Sequence, residues 1–111
     1  MVFDYYPNLL KREGNMQINL HYHNLKHSSE LDSFIKNEIS SLPFINKNYF
    51  NSVSCYLNDD SNHHNKCVKV KMIVHCKNHE DFVCECVAAD PYSPWSDLMK
   101  KTKKHFDKIF K

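Results

Sequence analysis

The feature that most constrains this 111-residue sequence is a run of strict alternation at residues 67–76, CVKVKMIVHC. Apolar side chains fill every second position from Val68 onwards, and lysine, isoleucine and histidine fill the positions between them. Successive side chains of a β-strand point to opposite faces of a sheet, so the pattern predicts a strand with one buried face. Such a strand requires partner strands and a layer that covers the buried face.

Other segments supply both. Residues 16–22, 52–57 and 82–89 also alternate and are predicted as strands. Residues 28–42 have a helical apolar stripe, with Ser28 or Ser29 as the N-terminal cap and Pro43 as the end. A second amphipathic helix begins near Ser93, with Pro94 at its first position.

The element order β-α-β-β-β-α predicts an α+β fold, in which one four-stranded sheet has both helices packed on one face. The other face is expected to be mixed in character. It would carry Lys69, Lys71, Ile73, His75, Val83 and Val87. The order of the strands in the sheet stays open. Residues 1–15 show no clear period and are interpreted as an N-terminal extension, ordered or mobile, before a domain at 16–111.

Positive charge is concentrated at the end of the chain. The formal net charge is only +2, but residues 98–111 hold six lysines against Asp107, and the rest of the chain is net negative. Five of these lysines fall opposite the apolar stripe of the second helix: Lys100, Lys101, Lys104, Lys108 and Lys111. The helix dipole accounts for one or two of them. A localised basic face points to a polyanion such as nucleic acid, and a solvated helix face is the alternative.

Composition and motifs argue against several other classes. There is no apolar run of the roughly 18 residues that cross a membrane and no signal-peptide pattern, so we expect no membrane partner and a cytoplasmic location. The five cysteines are interpreted as reduced thiols. Alternation turns Cys76, Cys84 and Cys86 towards the core, so we expect neither a metal nor a cofactor. With one glycine and no catalytic constellation, the chain is not expected to be an enzyme.

Lysines on a strand, a hairpin and the second helix remain as candidate contacts to RNA phosphates. They are Lys69, Lys71, Lys77, Lys100, Lys101, Lys104 and Lys108. Lysine acts as a point charge and gives affinity without base specificity. Because the expected open face shows Ile73, Val83 and Val87 rather than aromatic rings, we expect recognition of folded RNA and not base stacking.

Two segments resemble the ribosome hibernation-promoting factor family, which includes the ribosome-associated translation inhibitors. MQINLHYHNLKHSSEL is similar to the family's first strand and capped helix, and AADPYSPWSDLM to its entry into the second helix. The matching positions are Asn24, Leu25, Ser28 and Leu31 in the first segment, and Asp90 and Tyr92 in the second. The element order is the same, and the resemblance covers residues 16–111.

The resemblance implies a non-enzymatic factor that binds the small ribosomal subunit and ribosomal RNA in the channel of messenger and transfer RNA. Such factors silence ribosomes under stress or in stationary phase. The chain looks like the short form of the family, and we expect the isolated protein to be a monomer. His23, where lysine or arginine is usual, would assist the lysines, and Tyr22 replaces the usual glycine. Whether the protein promotes ribosome dimers stays open.

Two hypotheses from other classes also remain open. A protein-interaction module would use the basic helix to bind an acidic protein partner. A small metal-binding regulator would use the histidines and cysteines.

Overall fold

The computed structural model describes residues 17–42 and 50–109. The elements are β1 Gln17–His23, α1 Ser29–Ser40, β2 Phe50–Asp59, β3 Val68–Cys76, β4 Phe82–Ala88 and α2 Pro94–Ile109. The predicted α+β class and element order are therefore confirmed. Several positions that carry sequence-based expectations lie outside the described residues: the extension at 1–15, Met16, Pro43 and Lys111.

The four strands form one sheet in the order β1-β2-β3-β4. β1 and β2 are parallel and are connected through α1, whereas β2–β3 and β3–β4 are antiparallel neighbours. A parallel pair requires a crossover connection, and α1 provides it. β1 and β4 are consequently the edge strands, and β4 is followed directly by α2 in the chain.

β2 is longer than the predicted segment 52–57. Asn58 and Asp59, which lie beyond the predicted strand, pair with Lys69 and Val68 of β3. Pairing along the antiparallel ladder outweighs the turn preference of these two residues. The loop that follows is closed by the backbone N–H of Asp60, which donates to the carbonyl of Cys67 at 2.8 Å.

The core lies between one face of the sheet and both helices. From the helices it includes Leu31, Ile35, Ile39, Trp95, Leu98 and Phe106, all nearly inaccessible to solvent. From the strands it includes Val53, Cys55, Leu57, Val68, Val70, Met72, Val74, Cys76 and Cys84. These strand residues all belong to the alternating sets that the sequence assigned to the buried face.

A side chain caps the start of α1, and another closes the turn that leads into α2. Ser28 Oγ accepts a hydrogen bond from the N–H of Leu31 at 3.3 Å. Asp90 Oδ1 accepts from the N–H groups of Tyr92 and Ser93, each at 2.8 Å. These backbone hydrogen bonds lower the pKa of the Asp90 carboxyl. They also give a physical role to the acidic residue of the DPY motif, since it satisfies N–H groups at the entry to α2.

Asparagine adopts a left-handed backbone conformation at two turns. Asn24, directly after β1, has φ 57°, and Asn78, between β3 and β4, has φ 63°. Asparagine tolerates this left-handed region better than other residues with a Cβ atom. Asn24 is also one of the positions that matches the family pattern, and the turn from β1 towards α1 explains why asparagine suits it.

Across residues 17–42 and 50–109, neither helix has the length and apolar character needed to cross a membrane.

Candidate nucleic-acid interface

A groove of about 450 Å³ runs between α2 and the edge strand β4. The strand contributes Phe82, Val83, Cys84 and Glu85, and the helix contributes Lys101, Lys104, His105 and Lys108. The three lysines are spaced by three and four residues, which places their side chains along one side of the helix. The groove therefore has a strand wall that is apolar except for Glu85, and a basic helix wall.

Contacts between the two walls set the shape of this β4–α2 groove. The rings of Phe82 and His105 stack with centroids 4.2 Å apart and planes at 19°. Lys101 Nζ donates to the backbone carbonyl of Glu85 at 3.4 Å. Beneath them, Phe106 packs edge-to-face on Phe82, with ring centroids 5.5 Å apart and planes at 70°. Because His105 and Phe106 of α2 pack on Phe82 of β4, the same contacts fix where the lysines of α2 lie.

The charge of this groove is not neutralised internally. Within the part of the chain that the structure describes, Lys101, Lys104 and Lys108 form no ion pair with a carboxylate. Lysines held along a groove without acidic partners attract a polyanion, and phosphate groups are the most common ligands of such surfaces. Glu85 is the one acidic residue in the groove wall.

A second groove, of about 350 Å³, lies on the open face of the sheet. Its side-chain walls are formed by Tyr56, Asn58, Lys69, Lys71, Glu85 and Val87. Glu85 lines both grooves, so the two meet at β4. Five of the seven predicted lysines consequently lie along one surface that turns from the sheet onto α2.

The remaining predicted contacts lie elsewhere. Lys77 is exposed in the turn between β3 and β4, and Lys100 is exposed on α2 outside the β4–α2 groove. His23 is exposed at the end of β1, where it pairs in register with Asn58. The structure therefore brings five predicted residues together and leaves these three at the periphery.

Lys69 has an acidic neighbour. Its Nζ lies 3.3 Å from Asp60 Oδ2, and both side chains are more than half exposed. An ion pair between exposed side chains contributes at most about 1 kcal/mol, so it leaves the lysine able to exchange partners.

The open face carries an aromatic pair that the predicted outward positions did not include. Tyr56 is 43% exposed, and its ring stacks on that of His21 with centroids 4.7 Å apart and planes at 10°. The expectation that this face has no aromatic ring is therefore wrong. It considered the outward positions of the third and fourth strands only, whereas the alternation of Val53, Cys55 and Leu57 already turned Tyr56 outward.

A hydrogen-bonded chain of serine, histidine and aspartate also lies on the open face. Ser54 Oγ is 3.4 Å from His75 Nε2, and His75 Nδ1 is 2.9 Å from Asp81 Oδ2. A serine nucleophile also needs N–H donors aimed at a developing oxyanion. Ser54 is 8% exposed and lies in β2, whose backbone is paired with strands on both sides, so its surroundings suit a structural link and not acyl transfer.

The cysteines behave as core residues. Burial raises the pKa of the Cys55 thiol to about 12 and also raises the pKa values of Cys76 and Cys84. Cys86, predicted to point inward, is only partly buried. Among the described residues, no three histidine, cysteine or acidic side chains converge as metal ligands would.

Solved structures share this architecture. A ribosomal subunit interface protein from Coxiella burnetii superposes with a TM-score of 0.71 at 14% identity, covering 85% of this chain and 97% of that one. The Protein Y N-terminal domain from Thermus thermophilus gives a TM-score of 0.61 at 12% identity, covering 86% and 98%. Both belong to the hibernation-promoting factor family. This chain has their fold.

Comparison of the sequence with models of protein families and with curated proteins finds no match. At 12–14% identity, the likeness to the solved structures establishes the fold alone. The function therefore has to be argued from the surface that the fold carries.

Proposed function

We propose that this protein binds the small ribosomal subunit through ribosomal RNA and silences it, as a hibernation factor. The observation that carries the proposal is the fold, which is shared with a protein named for the ribosomal subunit interface. The basic surface supports it independently, because a nearly neutral chain places five lysines along two adjoining grooves. Binding is the proposed activity, and no chemical step is part of it.

RNA phosphates would be the main ligands of the β4–α2 groove. Lys101, Lys104 and Lys108 would follow one stretch of RNA backbone, since residues along one side of a helix form a row about 5 Å apart. Lys69 and Lys71 would extend the contact onto the sheet. Lys77, Lys100 and His23 are proposed as peripheral contacts that add long-range attraction. Such binding recognises the shape and charge of folded RNA.

The proposed location is the channel that messenger and transfer RNA use. A factor bound there blocks translation because it occupies the same space as those RNAs. This proposal predicts mutual exclusion: saturating transfer RNA and messenger RNA should displace the protein from purified small subunits, and the protein should prevent their binding. Simultaneous binding of all three would contradict the channel location.

Co-sedimentation with purified small subunits tests the RNA-binding surface. The double variant Lys101→Glu/Lys104→Glu should lose co-sedimentation at moderate salt, because it reverses two charges of the β4–α2 groove. The charge-matched control is Lys26→Glu/Lys36→Glu, which alters exposed lysines outside both grooves. Retained binding by the first variant, or equal loss by both, would refute the assignment of the groove.

A sucrose gradient of a stationary-phase lysate tests the proposal in the cell. The protein should sediment with small subunits or with ribosomes, and its amount there should rise on entry into stationary phase. Sedimentation only at the top of the gradient would contradict the proposed function. The same gradient also shows whether ribosome dimers accumulate when the protein is present.

A further inference from the structure

His21 and Tyr56 form a stacked pair on the open face. Neither residue is among the proposed phosphate contacts. The two residues pair in register on the parallel strands β1 and β2, so their rings meet directly. The Tyr56 ring is 43% exposed, so it offers apolar surface that a bound partner can cover.

The geometry leaves one face of the Tyr56 ring available. In the sheet, Tyr56 lies between His21 of β1 and Lys71 of β3, each its direct neighbour in register. Because His21 covers one ring face, the other faces the side of β3. There the second groove begins, with Val87 and Asn58 among its other walls.

We propose that this groove on the open sheet face binds an unpaired RNA nucleotide, with its base stacked on Tyr56 and its phosphates held by Lys71 and Lys69. The proposal rests on the proposed function for its partner, RNA, and adds to it a second mode of contact. Folded ribosomal RNA offers unpaired bases in loops and bulges, and aromatic side chains are their usual platform. His21 fixes the orientation of the tyrosine ring before binding.

The positive charges of the groove lie on β3, where they can hold the phosphates of a nucleotide. Lys69 and Lys71 lie in adjacent rows of β3, two residues apart and on the same face. The competing acids are exposed: Asp60 pairs with Lys69 across 3.3 Å, and Glu85 is the neighbour of Lys71 on β4. Removing the charge of Glu85 should therefore strengthen binding of a phosphate beside Lys71.

The test is direct binding of a fluorescently labelled eight-nucleotide single-stranded RNA to the full chain, measured by anisotropy. Tyr56→Ala should weaken binding by about 5- to 150-fold, the range for loss of one stacked base. Tyr56→Phe keeps the ring and should bind within about twofold of the wild type. Glu85→Gln should bind roughly two- to threefold more tightly.

An abasic RNA of the same length separates stacking from charge. It carries the same phosphates, so it should bind the wild type more weakly and should not distinguish Tyr56→Ala from Tyr56→Phe. A purine analogue whose emission falls on stacking should be quenched by the wild type and by Tyr56→Phe. If the abasic RNA binds as tightly as the normal one, or if Tyr56→Ala binds normally, the stacking site is refuted.

The two proposals can fail separately. Lys101→Glu/Lys104→Glu should lose small-subunit binding and still bind the short RNA in a manner that depends on Tyr56. A wild-type protein that binds this RNA through Tyr56 but never co-sediments with small subunits would overturn the proposed function and keep the stacking site. If the wild type co-sediments with small subunits but Tyr56→Ala binds the short RNA normally, the stacking site is overturned and the proposed function stands.

Discussion

The hydroxyl of Tyr22 donates a hydrogen bond to the carboxylate of Asp32, which joins the end of β1 to the first turn of α1. His27 contacts the other carboxylate oxygen through its Nε2 atom at 2.7 Å. The hydrogen bond from Tyr22, assisted by His27 and opposed by partial burial, lowers the pKa of the Asp32 carboxyl. Burial and the same bond raise the pKa of the Tyr22 hydroxyl above its ordinary range. Tyr22 thus has a structural role at the junction of β1 and α1.

Tyr22→Phe should lower the free energy of unfolding by about 1–2 kcal/mol at neutral pH, because a hydrogen bond to a charged group is lost. Urea denaturation measures the change. Tyr56→Phe is the matched control, since it also removes a tyrosine hydroxyl but from a ring that is 43% exposed on the open face. An equal effect of the two variants would contradict the role of the Tyr22–Asp32 bond.

The contribution of this bond should depend on pH in a defined direction. The folded protein holds the pKa of Asp32 below its ordinary value of 3.8, so the stabilisation is present above that value and is lost as the pH falls through the pKa of the folded state. The difference in stability between the wild type and Tyr22→Phe should therefore shrink below about pH 4. It should also shrink above pH 10.0, the ordinary pKa of tyrosine. The folded state raises the pKa of Tyr22, so above that pH the unfolded chain loses the hydroxyl proton first and the stabilisation declines. A difference that grows in acid would contradict the assignment.

Asp90→Ala should destabilise the entry to α2. The alanine leaves the N–H groups of Tyr92 and Ser93 without their carboxylate partner. Asp90→Asn is the matched control, because its amide oxygen still accepts both hydrogen bonds. The midpoint of urea denaturation should therefore fall more for alanine than for asparagine, and equal midpoints would show that the hydrogen bonds of Asp90 do not contribute.

Local patterns predicted most of the fold. β3 and β4 alternate strictly and pair through a short turn, so their faces could be assigned from the sequence alone. The parallel pairing of β1 with β2 could not, because it depends on how α1 packs across the sheet and not on either strand's own residues. The predicted order of elements was sufficient for the fold class but left the strand order open.

The candidate site was predicted less completely for a related reason. The apolar stripe of α2 showed which lysines are exposed, but the packing of Trp95 and Phe106 sets how the helix is rotated against β4. That rotation selects Lys101, Lys104 and Lys108 for the groove and leaves Lys100 outside it. The stacking of Tyr56 on His21 requires the register between two strands that are distant in the sequence.

Thiol labelling should divide the cysteines into two groups. Burial raises the pKa of Cys55 to about 12 and also raises those of Cys76 and Cys84, so these three should resist alkylation of the native protein at pH 8. Cys67 and Cys86 are partly exposed and should react first. Mass spectrometry after brief treatment with iodoacetamide measures the order, and denatured protein, in which all five should react, is the control. Fast labelling of native Cys55 would contradict the described core.

Binding to small subunits should weaken steeply with salt, because the proposed contacts release counterions from RNA phosphates. Five lysine contacts correspond to a slope of about −4 for the logarithm of the association constant against that of the salt concentration. Lys104→Ala should reduce the steepness by about 1, since it removes one phosphate contact. Lys103→Ala, one position away and outside the groove lining, should leave the slope nearly unchanged. Equal slopes for the two variants would mean that the β4–α2 groove does not hold the RNA backbone.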